Sequence, residues 1–202
     1  MIHSLNKLEI KTDLPWLILG KGPSFSRIGS IDLTSFYTLG LNETVNFVEC
    51  SLAHFIDIEV AKNINLKNKH SLFIVPFHPH LKNRPTTENL DQHKERLSFL
   101  RMLNFEERLF TYNLSTYKGH ILHKSTPYIK AKYFSVEAAF RILANAGVRV
   151  IYTLGVDGGT SYADCFLERG YVPLTNGRKS FDDQFIELHS IVNNMKLSWI
   201  KL

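Results

Sequence analysis

The sequence of 202 residues contains only two cysteines, Cys50 and Cys165, and they lie far apart. They match no CxxC spacing, which argues against a zinc or redox site of that type and favours a reducing compartment. No apolar run reaches the roughly 20 residues that a membrane-spanning helix needs. The first residues, MIHSLNKLEIKTD, also lack the long apolar core of a signal peptide. We therefore expect a cytoplasmic protein, with contact to the inner face of a membrane left open.

Several catalytic motifs are also missing. No G-x-S-x-G occurs, which disfavours a Ser-His-Asp hydrolase, and no G-x-G-x-x-G or GK[ST] phosphate loop is present. The pair His78 and His80 has no obvious third and fourth ligand beside it, so we assign no metal. The sequence has no internal repeat and no low-complexity tract.

Charge and composition favour one globular domain with an anionic ligand. Hydrophobic residues make up 44% of the chain, and Lys plus Arg exceed Asp plus Glu by 24 to 19, a formal charge of +5. A basic protein suits a phosphate-bearing ligand, a nucleic acid or an acidic membrane face. The basic residues form only short, separated runs, and we expect no nucleic-acid partner.

The apolar pattern predicts an open, mostly parallel α/β sheet. The run LPWLILG at 14–20 is typical of a strand buried on both faces. Further strands are predicted around 36–41, 55–58 and 70–78, and helical spacing at 135–147 leads into a strand that ends near 156. Another helix at 181–195 precedes a short closing strand. We expect a single Rossmann-like domain over 1–202 with helices on both faces of the sheet, and residues 79–128 as a lid-like insertion.

Two of these strands end in glycine-rich polar turns, and ligands of such sheets bind where the strands end. In the first turn, Gly20 to Ser24, glycines let a ligand approach the backbone, amides can bind an anion, and Ser24 can cap a helix. The second turn runs from Gly155 to Tyr162 and holds one acid, Asp157, that suits a ribose, a sugar or a phosphate. Each turn has a purely structural alternative, as a tight corner or a helix cap.

Three stretches resemble the small bacterial sialyltransferases that finish lipooligosaccharides and, more loosely, flagellin-modifying and pterin-diphosphokinase-like families. LILGKGPSFSRI is similar to the first strand of that family and its GNGPS turn, with Lys21 in place of the usual asparagine. YTLGLNETVNF is similar to the second strand, which ends at Asn42. The third stretch, at 134–166, resembles the helix, strand and GIDF-type turn of the family.

The resemblance implies a glycosyltransferase with a lid over a phosphorylated donor. It implies that the donor phosphates lie near Gly20, Gly22 and Ser24, and that Asn42 and Asp57 approach the donor. The second turn would line the same cleft with a further set of residues, namely Asp157, Gly158, Gly159, Thr160 and Ser161.

One departure from the family bears on the chemistry. The family's general-base histidine lies in a stretch that corresponds to NGRKSFDDQF, where this chain has Arg178. Arginine stays protonated and is a poor base but a good phosphate clamp. Either another residue is the base, with Asp57, Asp157, His78 and His80 as candidates, or the donor carries more phosphate. For the second case the added positive charge would come from Lys21, Arg178 and Lys179.

The leading hypothesis is a transferase that moves a glycosyl or phosphoglycosyl unit from a nucleotide-sugar or phosphoribosyl diphosphate donor to a saccharide acceptor in bacterial surface polysaccharide synthesis, including lipopolysaccharide. No cofactor is expected, except Mg²⁺ if the donor is a diphosphate. Two alternatives stay open: a diphosphokinase-like transferase on a small acceptor, and a non-catalytic ligand-binding module of a polysaccharide-assembly complex. The related sialyltransferases also suggest a homo-oligomer.

Overall fold

The computed structural model describes residues 2–65, 70–114, 125–132, 134–175 and 177–202. Over these residues the strands are β1 (His3–Ser4), β2 (Trp16–Leu19), β3 (Tyr37–Leu41), β4 (Leu52–His54), β5 (Leu72–Pro76), β6 (Leu109–Leu114), β7 (Tyr128–Ile129), β8 (Val150–Leu154) and β9 (Ser198–Lys201). The α-helices are α1 (Val60–Asn63), α2 (Leu90–Arg96), α3 (Ser98–Phe105), α4 (Ser135–Asn145), α5 (Asp164–Leu167) and α6 (Asp183–Met195).

The strands form one parallel sheet in the order β1-β6-β5-β4-β3-β2-β8-β9, and β7 extends the edge by pairing with β6. Strand β2 lies inside this sheet, and its side chains alternate between two hydrophobic cores. Trp16 and Ile18 belong to one core, and Leu17 and Leu19 belong to the other. Because both faces of β2 are buried, its sequence is apolar without alternation, and the strand predicted from 14–20 is confirmed.

Helices cover both faces of the sheet. Helices α4 and α6 pack on the core that holds Ile18, while the opposite core includes residues of α1, α3 and α5 and of the 3-10 helix Pro23–Ser30. The predicted single α/β Rossmann-like fold is therefore confirmed. No helix among the described ranges has the length and apolar character that crossing a membrane requires.

The strand predicted around 55–58 was misplaced. The structure places β4 at Leu52–His54, and the chain then turns, so that Asp57 pairs only in an isolated bridge with His80. Phe55 and Ile56 are as buried as the strand itself, and the continuous apolar run therefore does not mark where the strand ends.

Residues 79–128, predicted as a lid-like insertion, include helices α2 and α3 and also β6. Strand β6 pairs with β5 and β1 inside the sheet, so this part of the segment is integral to the domain. Helix α3 ends at Phe105, and Glu107, with φ at 57°, turns the chain into β6. Residues 115–124 lie outside the described ranges.

Candidate functional site

Strand order places the site. From β2 the chain moves outward through β3, β4 and β5 on one side, whereas β8 lies on the other side. The order in which strands are added to the sheet therefore reverses between β2 and β8. Ligands of open α/β sheets bind at the carboxyl ends of the strands beside such a point. Three adjoining cavities of about 80, 140 and 390 Å³ lie at this end of the sheet. We call them the switch-point cleft, the basic cavity and the tyrosine cavity.

The glycines at the switch point are required by close packing of the two turns. A Cβ on Gly20 would meet the Gly155 carbonyl, and one on Gly22 would lie 2.6 Å from Oδ2 of Asp157. Gly155 has φ at 73°, a left-handed conformation that glycine adopts without strain. The backbones of the two turns are thus in contact with each other. This contact requires glycine at these positions for a structural reason, without a ligand.

The amides of the first turn are also engaged within the protein. The amides of Gly20 and Gly22 donate to the carbonyls of Leu154 and Gly155 at 2.8 and 2.7 Å. The Ser24 amide donates to Oδ2 of Asp157 at 2.7 Å. A carboxylate therefore stands where the phosphate was expected, and the geometry does not support a donor phosphate on these amides. The Ser24 hydroxyl accepts from the Gly155 amide instead of capping the 3-10 helix.

Lys21 lines the switch-point cleft, but its charge is paired. Its Nζ lies 2.8 Å from Oε2 of Glu43, a carboxylate that is itself buried. Burial alone would lower the pKa of Lys21, but the attraction of Glu43, assisted by Tyr162, raises it above the ordinary value. The ammonium also lies 4.5 Å from the Tyr162 ring centroid and 5.3 Å from that of Tyr171. Lys21 thus links three segments and is not the spare phosphate-binding cation that the sequence suggested.

The rest of the second turn faces residues 180–182. The Gly159 amide donates to Oδ1 of Asp182, and the Gly159 carbonyl accepts from the Phe181 amide and the Ser180 hydroxyl. Four residues of the turn are absent from the linings of the three cavities, as is the exposed Lys179, and they are Gly158, Gly159, Thr160 and Ser161.

The basic cavity brings together an acid, a histidine and two cations. Its lining includes Asp57, His80, Lys132 and Arg178. Arg178 lies 3.5 Å from Asp183, and Lys132 lies 3.2 Å from Glu187. Both ion pairs are partly exposed, so the two cations are available to an anion that enters the cavity. Arg178, which the sequence suggests as a phosphate clamp, thus lines this cavity.

The N-terminus of α4 opens into the same place. Ser135 begins this helix and lines both the basic cavity and the switch-point cleft. Glu137 helps to cap the start of the helix, because its carboxylate accepts hydrogen bonds of 2.6 and 3.1 Å from the amides of Lys132 and Phe134. The amides of Ser135 and Val136 donate to no other residue in the described ranges. Free amides at the start of an 11-residue helix favour an anion.

A tight turn holds Asp57 in position. Leu81 and Arg84 exchange backbone hydrogen bonds of 2.9 and 3.1 Å around Lys82 and Asn83, which both have positive φ. This geometry directs the Asn83 amide to Oδ1 of Asp57 at 3.0 Å. Burial raises the pKa of the Asp57 carboxyl from 3.8 to about 6, and the Asn83 amide opposes the rise. At neutral pH the group is ionised and close to the best range for a general base.

Asn42, predicted to approach the donor, follows β3 and has φ at 54°. It lines the switch-point cleft and the tyrosine cavity. Its Oδ1 lies 3.5 Å from the hydroxyl of Ser135.

The other two predicted catalytic residues have structural roles in this geometry. His78 is buried, its Nδ1 lies 3.2 Å from the Glu88 carbonyl, and it lines none of the three cavities. Asp157 lines the cleft, but its carboxylate holds the Ser24 amide. Of the predicted set, Asp57, Asn42 and Arg178 line the adjoining cavities. So do four residues whose amides or side chains are bound within the protein, namely Gly20, Lys21, Gly22 and Asp157.

Sequence reasoning missed Lys132 and Ser135 as site residues. A signal was available, because Glu137 near the start of an apolar-periodic segment marks a helix N-terminus, and that helix precedes a parallel strand. A crossover helix in such a sheet begins at the carboxyl end of one strand, where ligands bind.

The described residues contain no group of three or more His, Cys, Asp and Glu side chains that could hold a metal ion. Comparisons with protein-family models, curated proteins and solved structures give no significant match.

Proposed function

We propose that the protein is a transferase that moves a glycosyl or phosphoglycosyl unit from a phosphorylated donor to an acceptor hydroxyl of a bacterial surface polysaccharide. One observation carries the proposal. A carboxylate with a pKa near neutrality, Asp57, shares a cavity with two cations and a helix N-terminus. A phosphate site beside a poised base is what transfer to a hydroxyl needs.

In this proposal the donor phosphate binds between Arg178, Lys132 and the free amides at the start of α4. The guanidinium can donate two parallel hydrogen bonds to phosphate oxygens, and the amides add donors of fixed direction. For a glycosyl unit, the bond between the transferred carbon and the donor oxygen breaks, and its electron pair goes to the phosphate oxygen. For a phosphoglycosyl unit, the bond that breaks joins the transferred phosphorus to the oxygen of the leaving phosphate, which takes the electron pair. The cations and amides stabilise the negative charge that develops there. A diphosphate donor would bring Mg²⁺ with it.

Asp57 then acts as the base in place of the histidine that the resembled family uses. The acceptor oxygen forms a bond to the transferred carbon, or to the phosphorus of a phosphoglycosyl unit, and its proton passes to the Asp57 carboxylate. The Asn83 amide holds that carboxylate at 3.0 Å, which limits its rotation before the reaction. Arg178, at the position that corresponds to the histidine, binds the leaving phosphate.

Binding measurements test the donor class. Isothermal titration with CMP, a CMP-sugar, a UDP-sugar, ATP and phosphoribosyl diphosphate, with and without Mg²⁺, should find at least one ligand. The matched variants are adjacent residues, since Arg178 lines the basic cavity and Lys179 is exposed outside it. Arg178→Ala should weaken binding by about tenfold or more, a loss of about 1.4 kcal/mol, and Lys179→Ala by less than about twofold.

Two results would contradict the proposal: binding of none of these ligands, or equal losses in the two variants. Transfer is tested next, by incubating the bound donor with oligosaccharide acceptors and detecting product by mass spectrometry. Asp57→Asn should bind the donor and form no product. Diphosphate transfer with ATP and Mg²⁺ alone would instead favour the diphosphokinase alternative.

A further inference from the structure

The tyrosine cavity is the largest of the three and adjoins the proposed phosphate site. Its volume is about 390 Å³, and it shares Asp57 and Asn83 with the basic cavity. The proposed phosphate site does not fill it. A second ligand in this cavity would therefore also lie beside Asp57.

The charge of the tyrosine cavity differs from that of the basic cavity. Three carboxylates line it, those of Glu43, Asp57 and Glu59, against the ammonium groups of Lys21 and Lys82. Lys21 is already paired with Glu43, and Lys82 is exposed. An anionic ligand would therefore meet uncompensated carboxylates, which makes its binding unfavourable.

The remaining lining suits a molecule with many hydroxyl groups. Asn63, Asn83 and Thr175 offer amide and hydroxyl groups that both donate and accept. Tyr171 and Val172 add aromatic and apolar surface among these polar groups, which suits a ring that has apolar faces and hydroxyls at its edge.

We infer that the tyrosine cavity binds the acceptor, and that the acceptor is a sugar without an anionic group whose attacking hydroxyl donates its proton to Asp57. The inference rests on the proposed function. It adds a location for the acceptor and a selection against anionic sugars.

Ligand-observed NMR titration tests the inference with lactose, N-acetylglucosamine and glucuronate as probes. The two neutral sugars should bind, and glucuronate should bind at least about tenfold more weakly because its carboxylate meets the carboxylates of the cavity. Equal or tighter binding of glucuronate would overturn the inference.

Variants locate the site. Thr175 is exposed at the cavity wall, so Thr175→Trp should fill the cavity, keep the melting temperature and weaken lactose binding by about tenfold or more. Thr12→Trp is the matched control, because Thr12 is an exposed threonine before β2, at the opposite end of the sheet. Tyr171→Ala should weaken lactose binding as well. Unchanged lactose binding in both cavity variants would overturn the inference.

The two proposals fail separately. Arg178→Ala should weaken binding of the phosphorylated donor and leave lactose binding unchanged. Thr175→Trp should weaken lactose binding and leave donor binding unchanged. A donor that binds through Arg178 while no neutral sugar binds would overturn the acceptor inference alone. Absence of binding by any phosphorylated ligand would overturn the proposed function.

Discussion

The backbone amide of Ser24 donates a 2.7 Å hydrogen bond to the Asp157 carboxylate, so the turn after β2 is tied to the turn after β8. The protein thereby provides its own anion at a place that the sequence assigns to a phosphate. Because Gly20 also contacts Gly155, the two turns leave no room for a phosphate on the amides of the first turn. We therefore place the proposed phosphate site at the N-terminus of α4.

Substitution of Gly22 should be severely destabilising. In Gly22→Ala the new Cβ would lie 2.6 Å from Oδ2 and 2.8 Å from Cβ of Asp157. We expect a loss of about 3 kcal/mol in the free energy of unfolding, measured by urea denaturation. Gly29→Ala is the control, since a Cβ there meets nothing within 4 Å, and its stability should stay within about 0.5 kcal/mol. Similar losses in the two variants would contradict the close packing of the turns.

Asp157 should matter for stability rather than for catalysis. Asp157→Ala leaves the Ser24 amide without its acceptor and should cost about 1 to 3 kcal/mol in chemical denaturation. Asp157→Asn keeps an acceptor oxygen and should cost less. In the transferase assay the Asn variant should keep turnover within about threefold, and a loss of more than a hundredfold would return Asp157 to the candidate catalytic residues.

The stability lost when the Lys21 charge is removed should be partly restored when the Glu43 charge is removed as well. Lys21→Met leaves a buried carboxylate unpaired, and we expect a loss of about 3 to 5 kcal/mol. The double variant Lys21→Met, Glu43→Gln should recover much of this loss, which a double-mutant cycle of unfolding free energies measures. Additive losses would show that the pair does not couple.

Stability should depend on Asp57 and on pH. Because the pKa of Asp57 is about 6 when folded and 3.8 ordinarily, the folded chain binds this proton more tightly. The resulting stabilisation is present below pH 3.8 and is lost as the pH rises through 6. Asp57→Asn should thus match the wild type at pH 4 and exceed it by up to about 3 kcal/mol at pH 8. Melting temperatures across this range measure the difference, and an equal gain at pH 4 would contradict the assignment.

The same group should set the acid limb of activity. If Asp57 must be ionised, kcat/KM should fall about tenfold for each pH unit below 6. A limb centred near pH 4 would indicate a base with an ordinary carboxyl pKa. Donor binding, measured over the same pH values, separates loss of the base from loss of the bound phosphate.

Much of the fold could be predicted because its signals are local. The run WLIL shows a strand buried on both faces, and the spacing at 135–147 shows a helix with an apolar stripe. Strand β6 was missed because Thr111 and Asn113 interrupt its apolar pattern and it follows α3 after only a short turn. Both polar side chains are buried and hydrogen-bonded to carbonyl groups, which no local pattern reveals.

The site was harder to predict because its residues meet only through strand order. The sequence showed two glycine turns but not that they would touch, since β2 and β8 are far apart in the chain. The ion pair of Lys21 follows from the pairing of β2 with β3. These strands are parallel neighbours with Leu19 opposite Gly40, so the residues that follow the two strands lie close together. The raised pKa of Asp57 depends on burial, which the sequence alone does not give.

The buried ion pair between Lys21 and Glu43 also constrains how this protein can diverge. A lineage that replaces the lysine by an uncharged residue inherits an isolated buried carboxylate, so the two codons should change together or in rapid succession. Among homologous sequences, a neutral residue at position 21 should therefore accompany a neutral residue at position 43. The residue at position 21 would then depend on the charge at position 43, and would carry no information about the phosphate content of the donor.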